Sequence, residues 1–205
     1  MLIIFTIIIF SVILHEIAHG LIAERLGDPT ARNSGRLTLN PVPHIDPLMS
    51  LLLPALLLII GSPVVIGGAK PVPINPNNFA KPKKDIALTS LAGPLINLLI
   101  ALFVIGLLRL IYLFYPVSTS FAGLINGLNY AVIINFSLAL FNLLPIPPLD
   151  GFKILGALVP DKMIESWYSL ERYFGLVVIF LLILFGGEIF SFVSKLEFEI
   201  LRIFA

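Results

Sequence analysis

The chain has 205 residues, 58% hydrophobic and only 12% charged, with a mean hydropathy of +1.03. Soluble domains carry about 25% charged residues, so this composition excludes a water-soluble globule and reads as an integral membrane protein. The formal net charge of +1 gives no basic field for nucleic acid, and the lack of cysteine removes disulfides and thiolate chemistry.

A membrane-spanning helix needs about 20 mainly apolar residues. The first such run is Leu2 to Leu26. It lacks a basic leader, since its first charged residue is Glu16, and no convincing small-residue cleavage site precedes its polar motif. It therefore reads as a mature helix rather than a signal peptide. Next comes "GDPTARNSGRLTLNPVPHIDP", rich in turn formers. A second apolar run, Leu48 to Ile66, carries the helix breakers Pro54, Gly61 and Pro63. The stretch "GGAKPVPINPNNFAKPKKD" follows, and its prolines predict extended chain or turns. Two further apolar helices are predicted at Ile86 to Tyr115 and Phe121 to Leu144, the second ending in "PIPPLDG". A mixed helical stretch, Phe152 to Tyr173, and a last apolar helix, Phe174 to about Val193, complete the chain. The predicted fold is an all-α polytopic membrane protein of about four to six transmembrane or re-entrant segments, with a proline-rich extended segment among them. It reads as one domain over residues 1–205, with its functional core in about 1–156 and further helices in 157–205.

The stretch "LHEIAHG", Leu14 to Gly20, places three ionisable groups inside the first apolar run. Such groups are costly in a bilayer and mark function there. His15 and His19 are four residues apart, so they share a helix face about 6 Å apart and can hold one metal ion. Glu16 stands beside the first of them. This is the H-E-x-x-H pattern of zinc metalloproteases, with two ligands and a base. A catalytic zinc takes three protein ligands and keeps a position open for water, so a third ligand must come from elsewhere. Most of the 12 acidic residues lie in plainly polar loops. Asp150 differs, because "NLLPIPPLDG" breaks an apolar helix and aims a side chain, and irregular backbone at membrane depth needs protein or a wet cavity around it. His44 is the next candidate, although His44 and Asp46 also read as a helix cap at the interface. Asn97, in "AGPLIN", reads as part of a small-residue packing stretch.

"HEIAHG", "SLAGPLINLLIA" and "FNLLPIPPLDGFKIL" occur in an order that resembles the site-2 protease family of intramembrane zinc metalloproteases. The likeness is to its short prokaryotic type without a PDZ domain, and it covers most of the chain up to about Gly156. The resemblance implies one zinc held by His15, His19 and Asp150, with Glu16 as general base. It implies that Asn142 holds the substrate backbone, that the substrate is a transmembrane protein, and that the location is multi-pass in a prokaryotic cell membrane. The family usually has two glycines after the aspartate; here Phe152 takes the second place. That change could narrow the pocket or shift the helix that follows. The resemblance also gives "GGAKPVPINPNNF" the role of an edge that pairs with an unwound substrate strand, while its turn prolines equally fit a plain surface loop. The alternatives are a membrane metal carrier, which would not need Glu16, and an inactive scaffold, which would not need an intact set.

The order of elements poses a geometric problem. His19 lies toward the end of the first helix and Asp150 just past the end of the "FNLLP" helix, so both ends must reach one side. Four full crossings would put them on opposite sides. Leu48 to Ile66 is therefore predicted to dip in and return, or the chain after it to cross in extended form. If it returns, seven of the 13 basic residues share the side of its two flanking loops, which the positive-inside rule makes cytosolic.

Overall fold

The structure is a computed structural model that describes residues 2–59, 61, 67–114, 122–170, 187, 191 and 195. Among these residues it is all helix and loop, with no strand. The expected last helix at 174–193 lies almost wholly outside the described residues.

Among the described residues three helices are long and apolar enough to cross a membrane: α1 (Leu2–Arg25), α4 (Pro82–Phe114) and α5 (Ala122–Asn142). Shorter helical turns lie between and after them: α2 (Thr30–Asn33), α3 (Leu53–Ile59) and α6 (Asp150–Gly156). In lipid each backbone polar group must be satisfied within the protein, which favours continuous helices over these runs. With 33 residues α4 is about 50 Å long, more than a hydrocarbon core of about 30 Å requires.

Helix α4 is the central element, packed against α1, α5 and α6, and α1 also meets α5. Small residues on its buried face, among them Ala87, Ala92, Gly93 and Ala101, let the backbones approach closely. Between α4 and α5 the core is Ala101, Val104, Leu108, Ile125, Val132 and Phe136. Large apolar side chains such as Phe103 and Leu113 point outward, as a lipid-facing surface requires. Polar contacts fix the directions. His19 meets Thr89 and His15 meets Asn97, so α1 and α4 run antiparallel. Ser11 meets Asn135 and His15 meets Asp150, so α5 runs parallel to α1.

The segment after the first loop does not cross. A π-helical turn, Pro47–Leu52, leads into α3, and together they are too short to span a bilayer. The chain then comes back to where it left. Gly68 N donates to Met49 O at 3.0 Å, and Ser50 Oγ donates to Gly68 O at 2.6 Å. These bonds pin the two ends of the apolar dip together, which is the return that the helix breakers predict. Residues 60 and 62–66, including Pro63, lie outside the described residues. With one dip and three crossings, the C-terminal ends of α1 and α5 share a side, and His19 and Asp150 can meet.

Beyond the dip, residues 67–75 form no helix or strand, and the prolines at 71, 73 and 76 favour extended backbone there; a 3-10 turn follows at Pro76–Asn78. Three anchors hold this chain. Lys70 N donates to His44 O at 2.8 Å, Arg36 donates to Lys70 O, and Asn75 N donates to Asp28 Oδ2 at 2.7 Å. Its prolines at 71, 73 and 76 lack amide hydrogens, so it cannot form a regular ladder.

Candidate metal centre

The last turns of α1 carry the two histidines side by side. Their ring centroids are 4.6 Å apart and the rings are perpendicular. The third group comes from a corner between α5 and α6. After Asn142 the chain folds through turns, with Ile146 N to Leu144 O at 2.8 Å and Leu149 N to Ile146 O at 2.9 Å. The corner then delivers Asp150 as the first residue of α6. Gly151 makes the corner possible, because a Cβ there would collide with the carbonyl oxygens of Leu143 and Leu144. Asp150 Oδ2 lies 3.1 Å from His15 Nε2 and 3.2 Å from His19 Nε2. All three side chains are buried, and their ligand atoms lie within 4.8 Å of one another.

The far sides of both rings are held. His19 Nδ1 donates to Thr89 O at 2.7 Å, and His15 Nδ1 donates to Asn97 Oδ1 at 2.6 Å. A carbonyl oxygen only accepts, so each Nδ1 carries the hydrogen, and Nε2 is the nitrogen of each ring that can offer a lone pair to a metal. Pinning the outer nitrogen of a metal-ligating histidine in this way fixes its tautomer and ring orientation. Two imidazole nitrogens and a carboxylate oxygen facing one another are the donor set of a catalytic zinc site with an open position. Helix α4 is shaped to the same end. A Cβ on Gly93 would lie 2.5 Å from His15 Nε2 and closer still to His19 Nε2. Only a bare Cα lets both rings converge there. The donor set and the space around it both fit zinc.

Family comparison now has a site to set against. The family described as Peptidase family M50 matches residues 47–185. The chain belongs to peptidase family M50. This is the site-2 protease family of intramembrane zinc metalloproteases that its motifs resemble. Among M50 relatives, YwhC of Bacillus subtilis (strain 168), named as a candidate zinc metalloprotease, is 38% identical over 188 residues. That match covers 91% of this chain and 81% of YwhC. Rip2 of Mycolicibacterium smegmatis, named in the same way, is 34% identical over 178 residues, covering 85% of this chain and 64% of Rip2. Rip2 of Mycobacterium tuberculosis (strain ATCC 25618 / H37Rv) is 34% identical over 175 residues, covering 85% of this chain and 63% of its own. The chain thus spans just under two thirds of the Rip2 length. No solved structure matches the chain. As an M50 member this is a multi-pass membrane protein and a zinc metallopeptidase.

A cavity of about 140 Å³ opens beside the three candidate ligands, and Glu16, Val72, Asn142 and Lys153 also line it. Glu16 Oε2 accepts a hydrogen bond from Val72 N at 2.8 Å. Asn142 donates one amide hydrogen to Leu138 O at 2.9 Å, which steadies the side chain at the cavity wall. The site residues expected from the sequence are therefore brought together.

Two expectations need adjustment, and the reserve ligand candidate drops out. Asn97 reads from sequence as a packing residue, yet it is the hydrogen-bond partner of His15; a partner 82 residues away leaves no local pattern. His44 is no ligand: its Nε2 bonds to Thr38 O at 2.9 Å and it does not line the cavity. Asp46 caps the π-helical turn, accepting from Leu48 N and Met49 N, as the cap reading expects. Phe152 does not narrow the pocket. It turns away from the cavity and stacks on Trp167 at 4.4 Å. Gly93 and Val72 escape a sequence reading altogether, the first hidden in a small-residue run and the second in a proline-rich loop.

Proposed function

We propose that the chain hydrolyses peptide bonds in or near transmembrane segments of membrane-protein substrates, with the whole of residues 1–205 as one protease domain and the catalytic core in about 1–156. In this reading His15, His19 and Asp150 hold one zinc, Glu16 is the general base and Asn142 binds substrate. The observation that carries it is the meeting of three buried donor atoms within 4.8 Å, in a cavity shared with Glu16. When bound, zinc supplies a Lewis acid that makes water nucleophilic near neutral pH and polarises a carbonyl. Glu16 takes a proton from water in the cavity and delivers it to the leaving amine. Its Oε2 is steadied by Val72 N, which leaves Oε1 for the proton. Asn142 keeps one amide hydrogen and its carbonyl for the substrate backbone, where it orients the scissile bond.

A helical substrate hides its amides, and a helix is about 10–12 Å across with its side chains. A cavity of about 140 Å³ suits a short extended stretch instead. The chain at 67–75, which supplies Pro71, Val72 and Ile74 to the cavity wall, supports a role in laying out that stretch. The basic loops flanking the dip support a site nearer the cytosolic face.

Intact family membership and the presence of Glu16 favour a peptidase over a metal carrier or an inactive scaffold. The test is cleavage of a single-pass membrane substrate reconstituted with the purified protein. Wild type is expected to cut within or beside the transmembrane segment, Glu16→Gln to lose cutting while keeping zinc, and Asn142→Ala to lose most of kcat/KM. Full cutting by Glu16→Gln would defeat the assignment.

A further inference from the structure

Beyond Asn97 a polar chain continues into the bundle. Asn97 Nδ2 donates to Asn135 Oδ1 at 2.9 Å. Asn135 Nδ2 donates to Ser11 Oγ at 2.9 Å and to Ala131 O at 2.8 Å. Asn97 is 0% and Asn135 1% exposed, so neither amide exchanges its partners with solvent. These side chains join α1, α4 and α5 at the depth of the apolar core, where each is costly unless its bonds are made.

The chain has a direction. An asparagine amide can be turned over, exchanging donor for acceptor, so its orientation must come from a partner with a fixed role. Ala131 O is a backbone carbonyl and can only accept. The Asn135 nitrogen must therefore face it, and Asn135 Oδ1 must face Asn97. Asn97 then has to present Nδ2 to Asn135, a choice that Ser11 O reinforces at 3.4 Å. Its Oδ1 is left for His15, which has to place a hydrogen on Nδ1, so that Nε2 is the nitrogen that can offer a lone pair.

We propose that Asn135 is a positioning residue that sets the tautomer of His15 through Asn97, from a distance and without touching the candidate metal centre. The proposal deepens the zinc-peptidase reading and rests on it for its purpose. It assigns Asn135 a function that its place on an apolar helix would otherwise assign to helix packing. Leucine at 135 fills similar space but leaves only the longer 3.4 Å contact to Ser11 O to hold the Asn97 amide. His15 can then carry its hydrogen on Nε2, facing Asp150 instead of a metal.

The decisive experiment is a double-mutant cycle in which zinc affinity is measured by chelator competition in detergent. Asn135→Leu is expected to weaken zinc about tenfold to a hundredfold, the usual cost of losing a partner behind a metal ligand. Asn97→Asp presents an acceptor oxygen whichever way it turns, so in that background Asn135→Leu is expected to change affinity by less than about twofold. An equal loss in both backgrounds would mean that Asn135 only packs, and would overturn the proposal. A second readout needs no variant and no metal. The chain has three histidines, so 15N spectra of the zinc-stripped wild type can be assigned. They are expected to show hydrogen on His15 Nδ1, and an Nδ1 without hydrogen would overturn the proposal. Zinc uptake by wild type judges the peptidase reading and the tautomer judges this one, so the two fail separately.

Discussion

Val72 donates its backbone N–H to the Glu16 carboxylate at 2.8 Å, joining a proline-rich loop to the candidate general base across 56 residues of sequence. Pro71 and Pro73 on either side favour extended backbone, and neither could make this bond. Val72→Pro would remove the donor between two residues that are already proline. A hydrogen bond to a charged group contributes about 1.5–3 kcal/mol, so cleavage is expected to fall about tenfold or more while zinc content stays at the wild-type level. Steady-state kinetics beside metal analysis checks this, and an unchanged kcat/KM would show that the contact does not matter.

The same loop depends on Asp28, which is 0% exposed. Its carboxylate accepts from Thr30 N, Thr30 Oγ1, Asn75 N and Asn78 Nδ2. Burial alone would raise its pKa. The hydrogen bonds from Thr30, Asn78 and Asn75 outweigh that and hold it below the ordinary 3.8. A carboxylate whose pKa is lower in the folded state stabilises that state fully above the unfolded value. The stabilisation is lost as pH falls through the folded value. Docking of residues 67–78 is therefore expected to be independent of pH from neutral down to about 5 and to weaken below about 4. Limited proteolysis of this segment against pH measures it, and Asp28→Asn is expected to show enhanced cutting already at neutral pH.

Gly93→Ala separates helix stability from site geometry. Alanine in a helix interior is favoured over glycine by about 0.8–1 kcal/mol, so the helix itself gains. The added Cβ would stand against both imidazoles, whose outer nitrogens are tied to Asn97 and Thr89 and cannot swing clear. The variant is expected to keep its helical circular dichroism and to hold less than about a tenth of the wild-type zinc.

Phe152 tests the departure from the family's second glycine. It is 2% exposed and stacked on Trp167, whose Nε1 also donates to Phe152 O at 3.3 Å. Removing a buried phenylalanine side chain costs about 3–5 kcal/mol. Phe152→Gly is expected to lower the thermal midpoint without enlarging the range of substrates cut. A broader range at unchanged stability would show that the ring narrows the pocket after all.

Much of this was legible in the sequence because the signals were local. Two histidines at helical spacing, a glutamate between them and an aspartate after broken helix each carry a cost that only chemistry offsets. The helix breakers at 54 and 61 announced the returning segment, and the ends of α1, α4 and α5 fall within a few residues of the apolar runs. The supporting groups were not legible. Asn97, Gly93, Asn135 and Asp28 act through partners brought close only by folding, and their own neighbours in sequence look like ordinary packing or turn residues. Asn97 in particular sits in a stretch whose small residues do serve packing, so one local pattern hid two roles.

The most direct measurement is the zinc content of the purified protein in detergent, beside His15→Ala and Asp150→Ala variants of equal helicity. These residues stand 135 positions apart and meet only in the folded chain. About one zinc per chain is expected, lost or weakened at least about tenfold in both variants. Zinc that survives Asp150→Ala undiminished, or a well-folded wild type that binds none, would contradict a three-ligand centre shared between α1 and α6.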